Sequence, residues 1–371
     1  MKFLNLLKPV STIWVACLFI ISACATAQEN SDQGQRIIAI GDLHGDYDAY
    51  EALLSEAGLI NPRGKWAGEN TIFVQTGDVP DRGPDSRKIM KHLQKLQKQA
   101  PKDGGKVITL VGNHEAMNVI GDLRYVHPGE YEAFVDRKSK AIRDATYEAN
   151  RDSIEEFYLA RDATLSSEAI RQTWMDATPL GKLEHQRAWR PDGELGEWVV
   201  ENPAVAIVNG NLFVHGGISE KYTAFTVDEI NAESRIGLMA RSNKPMFIIN
   251  DGEGPLWYRG LVQRDPPPAP SVIEEVGDAS EMPAPETERL SIKDEVALVL
   301  REFNVKRVIV GHTPARDGIK ATQGGRVIQI DTGIAEHYGG SQSFLEIIGE
   351  RYIAHDNGVV RELGPISGED E

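Results

Sequence analysis

Cysteine is nearly missing from this chain. Of its 371 residues only Cys17 and Cys24 carry a thiol, and both stand within the first 27. Residues 28–371 can therefore form no disulfide, offer no thiolate to a metal and supply no cysteine nucleophile, so a metal site there has to use His, Asp, Glu or Asn. Positive charge is also scarce. Lys and Arg number 40 against 56 Asp and Glu, a formal net charge of -16. Such a surface repels nucleic acid and anionic lipid headgroups and has no broad basic patch for a phosphate backbone. An anionic substrate must be captured locally, by metal ions or by individual arginines. No internal repeat is present, and hydrophobic and charged fractions of 41% and 26% exclude a disordered or fibrous chain.

The one long apolar stretch is N-terminal. Lys2 and Lys8 lead into P-V-S-T-I-W-V-A-C-L-F-I-I-S-A, and the small residues A-C-A-T-A follow. This is the pattern of a secretory signal peptide, too short for a stable membrane span. Two processing sites fit. Cleavage after Ala25-Thr26-Ala27 removes residues 1–27 and frees the chain at Gln28; an I-S-A-C lipobox removes residues 1–23 and leaves a lipidated Cys24. Either predicts export to the periplasm, as a soluble or a lipid-anchored protein. Loss of Lys2 and Lys8 takes the charge from -16 to -18.

What remains is organised by a repeated event, in which a short β-branched run stops at glycine and a polar residue. Arg36–Ile40 meets G-D-L-H-G-D, Thr71–Thr76 meets G-D-V-P-D-R-G, and Lys106–Val111 meets G-N-H-E. Later, Asn211–Val214 meets H-G-G, Lys306–Val310 meets G-H-T, and Arg326–Ile330 meets D-T-G. Runs of this length and composition predict strands. Helical spacing over Tyr47–Ala57 and Asp85–Gln99 between the early strands predicts βαβ units, whose ligands sit beyond the carboxyl ends of the strands. The later strands pair without helices between them, Ala204–Val208 with Asn211–Val214 and Ser343–Ile348 with Arg351–Ala354. The fold class is therefore α/β, with one mixed sheet or two mixed sheets face to face and helices outside.

Residues 36–355 form the expected catalytic domain. Within it, 122–201 reads as a charged helical insertion, either a cap over the strand ends or a solvated bundle. Residues 265–287 read as a proline-rich acidic surface loop, and 356–371 as an acidic C-terminal tail.

The strand ends bring metal chemistry. Asp42 and His44 alternate along an extended turn and can face one point; Asp78, Asn113, His215 and His312 arrive from four other strand ends. Oxygen donors mixed with imidazole suit Mn, Fe or Zn. Six donors exceed the needs of one ion, so two metals bridged by a carboxylate account for them. Two metals about 3.5–4 Å apart clamp a phosphoryl group and lower the pKa of water between them.

In this order, G-D-L-H-G, G-D-V-P-D-R-G, G-N-H-E, H-G-G and G-H-T resemble the calcineurin-like metallophosphoesterases of the phosphoprotein phosphatase type. The continuation G-N-H-E-A-M-N-V-I-G-D-L-R-Y-V resembles their Shewanella-like bacterial branch. The resemblance spans roughly residues 36 to 350 and is weaker over 130–200 and the proline-rich loop. It implies the metallophosphoesterase fold and metal-dependent phosphomonoester hydrolysis, by direct attack of a hydroxide held between two ions, Mn before Fe or Zn. Asp42 and His44 would hold the first ion and Asp78 would bridge; Asn113, which also adjoins the substrate phosphate, His215 and His312 would complete the second. His114 would protonate the leaving oxygen and Asp81 would position it. Arg82 would grip the phosphate, with Arg259 in P-L-W-Y-R-G as the candidate second arginine. Asp331 would support the histidines from behind, and Glu115 would orient neighbours. His92, His185 and His355 read as structural or solvated, and so do His127 and His337, with approach to the site from neighbouring loops as the alternative for these two. The substrate is a phosphoprotein, on tyrosine or on serine and threonine, or a small phosphate ester. A dinucleoside-polyphosphate hydrolase is the rival enzyme, disfavoured because G-N-H is followed by Glu, and a non-catalytic binding module would have no chemical need for all six donors.

Overall fold

The computed structural model describes residues 34–264 and 289–367. The expected signal segment 1–27 and the proline-rich loop 265–287 lie outside the described residues.

Eleven strands form two mixed sheets. The first has six strands in the order β11-β10-β9-β1-β2-β3. Its parallel part is β1 (Ile37–Ile40), β2 (Ile72–Gln75) and β3 (Lys106–Thr109), and β9 (Ser343–Ile348), β10 (Arg351–Asp356) and β11 (Val359–Leu363) add an antiparallel meander beside β1. The second sheet has five strands, β4-β5-β6-β8-β7, from β4 (Val205–Val208), β5 (Asn211–Val214), β6 (Arg307–Val310), β7 (Lys320–Thr322) and β8 (Val327–Gln329). Here β5, β6 and β8 are parallel, so each sheet directs three strand ends the same way.

Strand alternation explains why these runs are apolar throughout. On β1, Ile37 and Ala39 enter one buried cluster while Ile38 and Ile40 enter another. The first cluster also holds Phe213, Ile309, Ile328 and Leu345, and so lies between the two sheets. The second holds Leu53, Leu54, Ile89 and Leu93 from α1 (Tyr47–Glu56) and α2 (Ser86–Gln99) and lies under the helices. Both faces of the central strands are covered, as in other sheets flanked by crossover helices.

The segment between β3 and β4 is helical: α3 (Asn113–Ile120), α4 (Pro128–Glu132), α5 (Ser139–Ala149), α6 (Arg151–Leu159), α7 (Ser167–Ala177), α8 (Lys182–Ala188) and α9 (Gly196–Glu201). Its helices differ in how far they are buried. Helix α6 buries no residue and is solvated, whereas α4 is clamped to the core because Ser86 donates to the buried Glu130 carboxylate. Further on, α10 (Val227–Ala240) opens with a capping box between Thr226 and Glu229, and α11 (Ile292–Glu302) is capped by Ser291.

One boundary is corrected. Residues 359–363 belong to the sheet and not to an acidic tail starting at 356. Asn357 and Gly358 take φ of 48° and 78°, the left-handed pair of a two-residue hairpin turn, and return the chain along β10 with Leu363 opposite Tyr352. If Leu363 packs as described, Leu363→Ala will lower the unfolding free energy by roughly 2 kcal/mol in chemical denaturation; a mobile tail would give no change. A second prediction concerns His185, which is buried among Tyr131, Phe134 and Trp189. Burial holds its pKa down at about 3 against 6.5. The unfolded chain then takes up a proton below 6.5 that the folded one refuses until about 3, so stability falls as pH drops through that window, by at most about 1.4 kcal/mol per pH unit. Stability curves of His185→Leu should lose this part of the acid dependence, and an unaltered slope would refute it.

Candidate metal centre

The strand ends converge as the motifs predict. Asp42 and His44 follow β1, Asp78, Asp81 and Arg82 follow β2, and Asn113 and His114 open α3 just beyond β3. From the second sheet, His215 follows β5, His312 follows β6 and Asp331 follows β8. All of these except Arg82 are buried. The loops are stitched together before any side chain is considered: the amides of Leu43 and His44 donate to the Asp78 carbonyl at 2.9 and 3.0 Å, and Gly45 donates to Val79 at 2.8 Å. The Glu115 carboxylate accepts from three amides, Gly112 at 2.8 Å, Asp78 at 2.9 Å and Val79 at 2.8 Å. It orients neighbours, and burial followed by the Asp78 charge raises its pKa to about 7.

The tight approach of the loops needs two glycines. A Cβ on Gly112 would lie 2.3 Å from Asp78 Oδ1, and one on Gly311 would lie 2.5 Å from Asp42 Oδ1.

Two buried triads share Asp78: His44, Asp78 and His114, and Asp78, His215 and His312, with the donor atoms of each within 4.8 Å of one another. The imidazoles are pre-set. His44 Nδ1 lies 3.0 Å from the Pro80 carbonyl and His215 Nδ1 lies 3.0 Å from the Thr76 carbonyl, so both Nδ1 atoms carry the proton and both Nε2 lone pairs face the cluster. His215 Nε2 then meets Asn113 Oδ1 at 2.9 Å and Asp78 Oδ2 at 3.2 Å. Three electron-pair donors thus point at one another with no hydrogen between them. His312 Nε2 is buried without any partner. A divalent cation satisfies all four groups at once, and the residues fit it.

Asp42 stands beside the first triad, with Oδ2 3.9 Å from His44 Nε2, and accepts from the His312 amide at 3.2 Å on both oxygens. Burial, then Asp331 and Asp78, push its pKa well up. Burial also opposes ionisation of Asp78, but His215 and His114 outweigh it and hold Asp78 well below the usual carboxylate range. Burial pulls His44 down to about 3 and His312 well down, keeping both neutral and able to ligate.

His114 belongs to the first triad by distance, yet differs in its bonding. Its Nδ1 is 2.6 Å from Asp81 Oδ2, and Asn118 donates to Asp81 Oδ1 at 2.9 Å. Burial opposes its protonation, but Asp78 and Asp81 prevail and raise its pKa. Arg82 lies with its guanidinium 3.9 Å above the Tyr125 ring. Arg259 is at the site too, donating from one terminal nitrogen to the His312 carbonyl and, at 3.1 Å, to Thr313. Asp331 accepts from the Gly333 amide at 2.9 Å, so its bond goes to backbone and not to an imidazole. Burial lifts it to about 6.

Among the other histidines, His92 is 2.6 Å from the Gly64 carbonyl and His355 stacks on Phe344, both in structural roles. His127 and His337 line a cleft with His44 and Arg82 and so reach the rim. Two residues without an expected role prove central. Tyr125 packs 5.1 Å from His114 and accepts the Arg82 amide at 3.1 Å, a placement that depends on the helical insertion. Asn118 stands four residues after His114 on one helix face, and that spacing was the available signal.

A family model described as calcineurin-like phosphoesterase matches residues 35–316. A protein of Schizosaccharomyces pombe is 34% identical over 321 residues, 84% of this chain and 76% of its own length. Shewanella-like protein phosphatase 2 of Arabidopsis thaliana is 30% identical over 316 residues, 83% of this chain and 74% of its own. The solved cold-active protein-tyrosine phosphatase of a psychrophilic Shewanella superposes with a TM-score of 0.61 at 26% identity, covering 89% of this chain and 80% of that one.

The close packing at Gly311 gives a test. Gly311→Ala must displace Asp42, and its metal affinity is expected to fall roughly 10–100-fold, as for other lost supporting contacts. Elemental analysis after dialysis against graded chelator checks this; unchanged retention would separate Asp42 from metal binding.

Proposed function

The chain belongs to the calcineurin-like phosphoesterases, in their Shewanella-like protein phosphatase branch, and on that footing we propose that it is an exported protein phosphatase acting on phosphotyrosine, on phosphoserine or phosphothreonine, or on both classes. It is a metallophosphatase. The observation that carries the reading is the His114–Asp81 pair, closed at 2.6 Å beside a cluster of unprotonated donors.

In this proposal Asp42, His44 and Asp78 would hold one ion, and Asp78, Asn113, His215 and His312 a second, manganese being the first choice and iron or zinc the alternatives. When bound, such ions polarise a phosphoryl oxygen and generate a nucleophile from water at neutral pH. The chain supplies the rest. With Nδ1 held by Asp81, His114 presents Nε2 to the cluster, 3.9 Å from Asp78 Oδ2. From there it delivers a proton to the departing alkoxide or phenoxide as the phosphorus–oxygen bond breaks and a water oxygen bonds to phosphorus, and the proton that water gives up replaces, over the turnover, the one His114 has spent. The buried position of His114 keeps that proton from bulk solvent. Arg82, flattened against Tyr125, keeps donors free for the phosphate oxygens, including an Nε that has no protein partner. Arg259, braced on the His312 loop, presents a second guanidinium. Asn113, whose side-chain nitrogen donates to Met117 Sδ at 3.9 Å, would adjoin the same phosphate. With no cysteine beyond residue 24, hydrolysis proceeds without a thiol phosphoenzyme.

The size of one cleft supports a polypeptide substrate. Tyr125 and Trp257 both line this cleft of about 1040 Å³ and touch the centre, Tyr125 through His114 and Trp257 edge-on to His312. Aromatic walls also suit an aryl phosphate. Export is proposed from the N-terminal segment, cleavage at Ala27 or at Cys24 deciding whether the enzyme is free or tethered to a membrane.

The test separates the roles. Asp78→Asn should lose both turnover and metal, whereas His114→Asn should keep its metal and lose turnover roughly 10²–10⁴-fold. Equal metal loss in the two variants would make His114 a ligand and refute the assignment. Phosphate release from phosphotyrosine, phosphoserine and phosphothreonine peptides, with and without chelator, checks the substrate class; hydrolysis of diadenosine tetraphosphate alone would replace it with the dinucleotide reading.

A further inference from the structure

A second cleft, of about 400 Å³, opens beside the centre between α3, α5, α8 and the residue after α10. It is lined by Asn118, Ile142, Leu183, Arg187, Arg190 and Arg241. Two of these residues join it to the site. Asn118 holds both members of the proton-donating pair, giving one hydrogen bond to Asp81 and another, at 3.0 Å, to the His114 carbonyl. Arg241 and Gly121 line this cleft and also the larger one between Tyr125 and Trp257, so the two adjoin.

Its charge runs against the rest of the molecule. In a chain of net charge -16, three arginines face one small space. Asp192 partly offsets Arg190 at 3.2 Å and, at longer range, Arg241, but neither Arg187 nor Arg241 has a carboxylate within ion-pair distance among the described residues. Arg241 takes φ of 48°, left-handed for a non-glycine residue, and its Nε donates to the Val119 carbonyl at 2.8 Å. That bond fixes the stem of the side chain and leaves the terminal nitrogens for a ligand. On the other side of the centre, the cleft beside His44 and Arg82 is lined by Asp46, Asp48, Asp85 and Glu336. An acidic segment is therefore repelled from one side and attracted to the other.

Asn118 adds an independent sign of a ligand. It is 1% exposed, and its side-chain carbonyl has no protein donor. A buried amide oxygen without a partner costs free energy unless something donates to it. A peptide meets both demands: its N–H groups are donors, and an acidic side chain meets the arginines.

We propose that this arginine-lined cleft is a subsite for an acidic residue of the protein substrate, close in sequence to the phosphorylated residue. The proposal rests on the protein phosphatase reading above. It makes the enzyme selective for phosphorylation sites embedded in acidic sequence, by charge complementarity that raises association and fixes register.

The experiment measures kcat/KM of the full-length, metal-loaded enzyme on phosphotyrosine peptides whose flanks carry a run of Glu, of Ala or of Lys, on either side. Glu-flanked peptides should exceed Ala-flanked ones by about tenfold at low salt, equivalent to roughly 1.4 kcal/mol, and the advantage should shrink as ionic strength rises. Arg187→Glu should reverse the preference toward Lys flanks, and Arg190→Ala should weaken it. Because each variant is read as a ratio between peptides, partial loss of folded enzyme does not affect the result. Equal rates on Glu and Ala peptides, or a preference that survives charge reversal at Arg187, would overturn the subsite while leaving the phosphatase reading intact. Hydrolysis of 4-nitrophenyl phosphate or diadenosine tetraphosphate with none of any phosphopeptide would overturn both.

Discussion

The Glu115 carboxylate is the tie on which the centre depends. Strands β2 and β3 are parallel neighbours, and beyond their ends each must turn away sharply, leaving amides with no strand partner. Glu115 receives three of them, from Gly112, Asp78 and Val79. One carboxylate therefore sets the spacing between the loop that carries Asp78 and the loop that carries Asn113 and His114. The Asp78 side chain reinforces that spacing by accepting the His114 amide at 2.9 Å. The metal donors are thus placed largely by backbone hydrogen bonds, which leave Asp78 Oδ2 and the Nε2 atoms of His44, His215 and His312 facing the cluster.

Holding the loops this way has a conformational cost. His44, Asp78, Asp81, Arg82 and His312 all sit in the left-handed region, with φ between 44° and 72°. Each such residue costs on the order of 1–3 kcal/mol, and five of them cluster within one site. The remaining left-handed residues outside glycine are mostly asparagines and turn or cap positions, where that conformation is easier. The packed sheets beneath, in which Ile37, Ala39, Ile309 and Ile328 are inaccessible to solvent, supply the rigidity that sustains the strain.

Much of this was legible in the chain because the informative unit is local. An apolar run that stops at Gly-Asp or Gly-His marks both a strand and the side chain that its end delivers, and the six expected metal donors meet in one buried place. Features made by distant packing were not legible. Tyr125 acquires its place under Arg82 only when the helical insertion folds back, and Asp331 turned its carboxylate to Gly333, a choice of hydrogen-bond partner that spacing does not encode. Strand β7, three residues with an exposed face, and α10 lacked the dense apolar pattern of the central elements. For β11 a signal was present in Asn357-Gly358, but the acidic residues that follow masked it.

The hairpin made by β10 and β11 leaves one flank of the six-stranded sheet open to solvent. Val359 and Val360 are 64% and 59% exposed on that flank. Bare β-branched backbone invites strand addition from other chains. The next two residues resist it: Arg361 is engaged with Asp356, and Glu362 with Arg351, each through charged contacts along the rim. Both contacts lie within the hairpin, so a strand added to the outer edge of β11 would have to bury charged side chains beside it, which weighs against self-association and aggregation.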